Sequence, residues 1–345
     1  MGEKKKIRLL LTCCLGYYMK ETVACFKASR EYEVTVIGLD MNPMSHNIND
    51  IDVFYQVPAS TTPGYFDIVM DIARKEHVDI VMPLHSKELV PFALRRDLFE
   101  AEGMLLAVPP VEGLRIANDK ILSFRHMRKI GLPVPETLVT KDADEAIAFV
   151  RAHPDMTFVT KFSDSCGARG FHVISDKPVP GAAPEITVRP EELAHIIDGQ
   201  TEILLQTYLP GMEYTTDMVL SQGKCVAVYT KECTVMEHGV IRQATIVNRP
   251  DVEDLCIRFA ESLHLCGNIG FDLKCDANNK PMIIDVNPRI TATVGLGRYG
   301  GMNLPLIGLD CLLGKAATDV PKAAVGVRIV RQIADFYFDP NGNPM

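Results

Sequence analysis

The residues of this chain best placed to do chemistry lie between Asn268 and Arg289. They read Asn268-Ile-Gly-Phe-Asp272-Leu-Lys-Cys, a polar turn, then Pro-Met-Ile-Ile-Asp285-Val-Asn287-Pro-Arg289. Both arms are apolar or alternating, and Asp276-Ala-Asn278-Asn279-Lys280 between them is turn chemistry, so the stretch reads as a β-hairpin. Taking Asn278-Asn279 as a two-residue turn and counting outward sets Asp272 opposite Asp285. The two-residue period of a strand then puts Asn287 on the same face as Asp285. Opposed like charges destabilise a hairpin, so a cation is expected there. Hard oxygen donors suit Mg²⁺ (or Mn²⁺), which binds through one or two carboxylates plus substrate phosphates. On the hairpin alone the two aspartates serve equally well as polar residues of a solvated face, and the rest of the chain has to decide.

The chain has 345 residues, enough for two or three subdomains with their own cores, and 47% hydrophobic against 23% charged residues marks it as globular. A net charge of −8 argues against nucleic acid or an anionic membrane as general partners, while leaving room for a local anion site. Ten cysteines without a C-x-x-C pair fit reduced, mostly buried thiols of a cytoplasmic protein better than disulfides or zinc. Lys4-Lys5-Lys6 followed by an apolar run resembles a signal peptide, but Arg8 interrupts the run and a buried first strand is the expectation. No run approaches the ~18 apolar residues of a membrane-spanning helix.

Strands at Ile7–Thr12, Val34–Leu39, Val53–Val57, Ile80–Pro83 and Leu105–Val108 alternate with helices, one of them expected over Glu88–Glu100. That alternation predicts an open parallel α/β sheet, Rossmann-like, over residues 1–110, with ligands beyond the carboxyl ends of its strands. G-x-G-x-x-G is absent after the first strand, so this is not a dinucleotide fingerprint. Asp40 reads as a turn cap. Glu88 is either a substrate contact or a first-turn glutamate favoured by the helix dipole.

From Asn118 the pattern changes to a strand-rich α+β unit, with the boundary near Pro109–Glu112. Asp119 is placed to cap a helix that runs to Ile130 and stops at Gly131 and Pro133. Strand Thr157–Phe162 carries Lys161, then feeds Ser163-Asp-Ser165-Cys-Gly167-Ala-Arg169-Gly170 and a second strand, Phe171–Ser175. Strand, glycine-rich loop, strand builds a flap whose backbone N–H groups can cover phosphates.

In chain order, Asn118-Asp119-Lys120 with Gly131-Leu-Pro133-Val-Pro135, Lys161 with the flap, Gly211-Met-Glu213-Tyr214, and Gly270-Phe-Asp272 with Asp285-Val-Asn287-Pro-Arg289 resemble the ATP-grasp superfamily. Within it the chain is similar to short proteins like half of a carbamoyl-phosphate synthase large subunit and to amino-acid ligases. The resemblance implies a pre-ATP-grasp domain (1–110), an α+β ATP-grasp fold of two subdomains (111–312, the nucleotide-binding subdomain about 125–210) and a C-terminal strand and tail (313–345). It implies ATP and Mg²⁺ as cofactors, with Lys120 and Lys161 on the α- and β-phosphates. Ser165, Gly167, Arg169 and Gly170 would lie over the phosphates. The backbone of Gln206, Tyr208 and Leu209 would read the adenine, and Glu213 the ribose. Asp272, Asp285 and Asn287 would hold metal, and Arg289 would stabilise the transferring phosphoryl group, with Arg242 a second basic candidate. Relatives usually carry glutamate where this chain has Asp285, which is one methylene shorter.

The implied reaction is transfer of phosphate from ATP to a small carboxylate, giving an acyl phosphate that an amine attacks. The acceptor pocket is expected around Pro83–Glu88, Arg289 and Thr291–Gly301, including Gly295. Two other readings stay open: a bicarbonate-using, carbamoyl-phosphate-synthase-like enzyme, weakened by the absence of an internal repeat, and an ATP-binding regulator without turnover. Val325–Ile333 and Phe336–Phe338 read as a strand and tail that either fold back on the core or make a homodimer contact.

Overall fold

The structure is a computed structural model that describes residues 3–16, 19–162, 170–180, 183–237, 240–332 and the single positions 335, 337 and 339. Its first five strands are β1 (Lys5–Thr12), β2 (Tyr32–Asp40), β3 (Val53–Gln56), β4 (Ile80–Met82) and β5 (Leu105–Leu106). They pair in parallel in the order β3-β2-β1-β4-β5. The chain order reverses between β1 and β4, and an open α/β sheet offers its ligand crevice at the carboxyl end of such a switch point. Helices α1 (Met19–Lys27), α2 (Tyr65–Lys75), α3 (Ser86–Ala93) and α4 (Arg96–Ala101) accompany the sheet. The single helix expected over Glu88–Glu100 is therefore two. α3 runs past Pro91 to Ala93 and closes with Arg95 N–H on the carbonyl of Phe92; the chain restarts at Arg96, whose guanidinium donates to the carbonyls of Leu106 and Val108.

A helix missed in the sequence, α5 (Val111–Ala117), leads into α6 (Lys120–Lys129). Asp119 caps α6 as expected, accepting from the N–H groups of Ile121 at 2.9 Å and Leu122 at 2.8 Å, and Gly131 ends it at φ +70°. Asp119→Ala is expected to cost about 1 kcal/mol, read as a lower urea midpoint at unchanged slope. An unchanged midpoint would show that the cap contributes nothing.

The smaller of the two remaining sheets holds β6 (Thr137–Thr140), β7 (Phe158–Phe162), β8 (His172–Ile174), β9 (Thr187–Val188) and β10 (Ile203–Thr207), in the order β6-β10-β7-β8-β9, with helices α7 (Ala143–Arg151) and α8 (Leu193–Ile196). The larger is antiparallel, β15-β14-β11-β12-β13-β16, built from β11 (Glu213–Ser221), β12 (Lys224–Glu237), β13 (Val240–Val247), β14 (Gly267–Cys275), β15 (Pro281–Asn287) and β16 (Arg328–Val330). The C-terminal strand is thus shorter than the expected Val325–Ile333 and joins the edge of this sheet; Ile333, Phe336 and Phe338 lie outside the described residues.

One face of the large sheet packs Met218, Ile269 and Phe271 on Val252 and Phe259 of α9 (Pro250–Ser262). The other face is apolar near the first sheet, where Val219, Tyr229 and Ile246 share a core with Leu9, Leu11 and Met19. Ile290, Val294 and helices α10 (Gly295–Tyr299) and α11 (Leu304–Leu312) fill the space between. Further along the same strands this face turns polar, and that polar stretch is the candidate site. Among the described residues no helix is long and apolar enough to cross a membrane.

Candidate active site

Asp272 on β14 sits directly opposite Asp285 on β15. The pairing is the expected one, but the turn is not. The loop has three residues, Ala277–Asn279, closed by Asp276, whose N–H donates to the carbonyl of Lys280 and whose Oδ1 accepts from the N–H of Lys280, with Asn279 at φ +62°. That pairs Cys275 with Pro281 and Leu273 with Ile283, one residue away from the expected count. A β-bulge then shifts the register between Asp272 and Leu273 and restores Asp272 to Asp285.

Asn287 Nδ2 donates to Asp272 Oδ2 at 3.2 Å, so the amide shares the carboxylate face as its spacing predicted. Burial, then the facing Asp285 and nearby Glu213, push the Asp272 carboxyl up to about 7. Its direct partners are neutral, the amide of Asn287 and the hydroxyl of Thr215 at 3.4 Å. Two oxygen-rich side chains held under mutual repulsion on a rigid sheet have the donor chemistry of a hard-cation site. Asp272, Asp285 and Asn287 fit Mg²⁺ on that ground.

Two lysines reach this pair, one from the start of α6 and one from the smaller sheet. Lys120, first residue of α6, places Nζ 3.3 Å from Asp285 Oδ1. Lys161 on β7 donates to the carbonyl of Ile284 at 3.1 Å. Burial lowers the Lys161 ammonium to about 8 in spite of Asp285, and Lys120 adds to the depression. An anion laid across both lysines would relieve that depression. Gly170, just before β8, has φ +72°, where a glycine is favoured; the expected flap residues Ser165, Gly167 and Arg169 lie outside the described residues.

Glu213, at the start of β11, lies 3.9 Å from Lys274 Nζ; burial raises its carboxyl, and Lys274 and Lys161 offset that. Lys274, which sequence reading passed over, also lies above the Tyr208 ring, 5.3 Å from its centroid. Gln206 is buried in β10 with its amide on Thr137 Oγ1 at 3.1 Å. The N–H groups of Thr207 and Tyr208 are bonded to Glu136 and Thr157. Leu209 is buried beside them. A crevice lined by Lys120, Phe124, Met127, Leu204, Gln206 and Asp285 runs between α6 and the two sheets.

Arg289 follows Asn287 and extends toward the first sheet. Its guanidinium lies 2.9 Å from Ile290 O and 3.4 Å from both Asn287 Oδ1 and Ser86 Oγ. Ser86 opens α3 just past the carboxyl end of β4, at the switch point. The hairpin and the first domain's crevice therefore meet at Arg289.

Three expected contacts are placed differently. Glu88 is 2% exposed, and its carboxylate accepts from Thr12 Oγ1 at 2.5 Å and Tyr65 OH at 2.9 Å. Burial raises its carboxyl, and from the first turn of α3 it ties that helix to β1 and α2. Gly295 is buried against α1; a Cβ there would stand 2.8 Å from Glu21 Cβ, so close helix packing accounts for the glycine. Arg242 is on β13, the third strand along from β14, with its Nε 2.5 Å from Glu237. Asp40 caps a turn as expected, accepting from the N–H groups of Leu15 and Asn42.

Sequence reading missed a buried network beside the carboxylates. Lys231 (0% exposed) pairs with Asp217, which also accepts from Thr291 and Tyr229, while Lys231 donates to Thr293. An aspartate inside the apolar strand Thr215–Leu220 and a lysine inside β12 were the available signals, because charged residues are rarely buried without partners.

Comparison with known proteins bears on the fold. A family described as the PylC-like N-terminal domain matches residues 9–107, and one described as ATP-grasp in the biosynthetic pathway with Ter operon matches residues 200–335. A five-stranded parallel domain followed by a mixed and an antiparallel sheet is the architecture of the ATP-grasp fold, and the match over residues 200–335 supports the ATP-grasp superfamily. It is 22% identical to the carbamoyl phosphate synthase large chain of Rubrobacter xylanophilus over 341 residues, covering 94% of this chain and 31% of that one. The chain spans less than a third of the length of the curated relatives it matches first, at 21% and 31%. Among solved structures, the biotin carboxylase domain of Hydrogenobacter thermophilus 2-oxoglutarate carboxylase, in complex with MgADP, ADP and bicarbonate, superposes with a TM-score of 0.69 at 14% identity, over 92% of this chain and 72% of that one. The L-amino acid ligase of Bacillus licheniformis gives 0.64 at 14% identity, over 93% and 78%. At such identities the likeness is one of fold.

Proposed function

We propose that this chain is an ATP-dependent carboxylate–amine ligase. The observation that carries the reading is the convergence at one hairpin of Lys120, Lys161, Asp272, Asp285 and Asn287, with Arg289 extending from it to the crevice of the first sheet at Ser86. Lys120 and Lys161 bind the α- and β-phosphates as compact point charges. Glu213 accepts from the ribose hydroxyls, and the Gln206–Leu209 segment lies along the adenine edge. Asp272, Asp285 and Asn287 hold Mg²⁺, which when bound neutralises phosphate charge. Arg289 holds the acceptor carboxylate and the γ-phosphate toward each other and offsets charge on the phosphoryl group in transit.

A carboxylate oxygen bonds to the γ-phosphorus as the β–γ P–O bond breaks, and ADP leaves. The amine nitrogen then bonds to the acyl carbon, loses its proton, and phosphate leaves. The work of the protein is positioning, charge neutralisation and exclusion of water, which protects the mixed anhydride. A bicarbonate acceptor is the second reading, supported by the similarity to carbamoyl phosphate synthase large chains. The test is phosphate release from MgATP, screened against pooled amino acids and then bicarbonate, with Asp285→Ala as control. Release that needs a carboxylate together with an amine and disappears in the control is expected. Release with bicarbonate alone moves the assignment to the second reading, and silence with ATP still bound leaves a nucleotide-binding regulator.

A further inference from the structure

We propose that Lys231, Asp217, Thr291 and Thr293 form a positioning network that aims the Arg289 guanidinium at the terminal phosphate of the bound nucleotide, without any of the four touching it. The inference rests on the nucleotide reading above.

Arg289's own contacts hold it weakly. Of its three hydrogen bonds among the described residues two are at 3.4 Å, so its direction depends on the backbone of the loop that follows. That loop is fastened residue by residue. Thr291 Oγ1 donates to Asp217 Oδ1 at 2.6 Å. Thr293 Oγ1 accepts from Lys231 Nζ at 2.7 Å. The carbonyl of Ala292 accepts from the Arg331 guanidinium. Tyr229 OH lies 3.0 Å from both Asp217 Oδ2 and the carbonyl of Val294, and accepts from Gly297 N–H at 3.2 Å.

Packing completes the seat. The methyl carbon of Thr291 lies 2.0 Å from where a Cβ at residue 270 would stand, so Gly270 leaves room for the loop to lie flat on β14, two residues from Asp272. Lys231 occupies the same cross-strand row as Asp285, Asp272 and Thr215. The fastenings therefore sit on the face of the sheet that bears the carboxylates.

Stability alone does not account for such a network. Lys231 is 0% exposed and the Asp217 side chain 3% exposed, and desolvating the two ions costs several kcal/mol that their attraction recovers incompletely. Apolar residues of similar volume would fill the space about as stably. What directional bonds to Thr291 and Thr293 add over apolar packing is a single register for the loop, and the side chain that this register places is Arg289.

The test is the binding of MgADP and of magnesium with a β,γ-imido ATP analogue, compared by calorimetry. Thr293→Val is the main variant, because it keeps the side-chain shape and removes one acceptor; Lys231→Met is a harsher one that strands Asp217. Wild type is expected to prefer the triphosphate analogue. Thr293→Val should cut that preference about ten-fold with ADP affinity unchanged, and Thr293→Ser should retain it. Arg289→Ala should lose the same preference, and adding Thr293→Val to it should cost nothing more. Equal weakening of both nucleotides by Thr293→Val, or losses that add fully in the double variant, would overturn the proposal. Should the phosphate-release screen stay silent while this pattern holds, the ligase reading falls and the network stands. A chain that binds neither nucleotide removes both.

Discussion

Asp272→Asn is expected to lower MgATP-dependent turnover by about 10²–10³-fold while leaving the fold intact and, above neutral pH, more stable than wild type. Turnover falls because the substitution halves the carboxylate charge of the candidate metal site. Stability moves the other way because Asp272 faces Asp285 across one register step and, among the described residues, accepts only from the neutral groups of Thr215 and Asn287. The sign follows from linkage. The carboxyl is raised from 3.8 to about 7 in the folded chain, so folding holds its proton more tightly. Stability from this group is full below about pH 4 and is lost as pH rises through 7. Asparagine lacks that loss, so the two proteins should converge near pH 4 and separate by on the order of 1–2 kcal/mol at pH 8, after allowing for solvent screening. Urea unfolding at the two pH values measures this. A variant that is less stable at pH 8 would mean that the carboxylate is held by attractive partners, contrary to the geometry.

The second large effect belongs to Lys161. Its ammonium is lowered from 10.5 to about 8 in the folded chain, mainly by burial. Stability from such a group is present above about pH 10.5 and lost as pH falls through 8. Lys161→Met removes that loss and should stabilise the protein at pH 7 by on the order of 1–3 kcal/mol, with the difference shrinking toward pH 10.5. The same substitution should weaken MgATP binding by about 10- to 100-fold, the loss of one charge-assisted hydrogen bond. Wild-type binding should also take up close to one proton at pH 9 and little at pH 7, because the phosphates draw the lysine back to its charged form. Calorimetry in buffers of different ionisation heat reads that uptake. Proton uptake that does not change with pH, or that survives in Lys161→Met, would place the phosphates elsewhere.

Local signals made much of this legible. Asp119 next to an amphipathic run fixed the start of α6, and with it the position of Lys120, because a cap acts within one turn. Strand–helix alternation gave the parallel first sheet. The Asp272–Asp285 pairing was reached through two errors that cancelled, a two-residue turn where there are three residues and an unforeseen bulge at the pair itself. Hairpin counting has no access to bulges, so the agreement owes something to chance. Glu88 is the first-turn glutamate of α3 that the sequence offered beside a substrate contact, but its partners Tyr65 and Thr12, like Glu21 beside Gly295, come from distant parts of the chain. For the Lys231–Asp217 network the sequence offers only two charges inside apolar strands, without saying what they pair with. The network's members span residues 217 to 293, and only the closed sheet brings them together.

The measurement that bears most directly on the central claim is oxygen transfer. The carboxylate found in the phosphate-release screen, labelled with ¹⁸O in both oxygens, is incubated with the protein, MgATP and the amine, and the released phosphate is analysed by mass. One ¹⁸O in each phosphate is predicted, because the acyl phosphate leaves the carboxylate's bridging oxygen on phosphorus when the amine attacks carbon. Unlabelled phosphate would contradict the account, since the phosphoryl group would then have passed to water and the carboxylate would not have been activated.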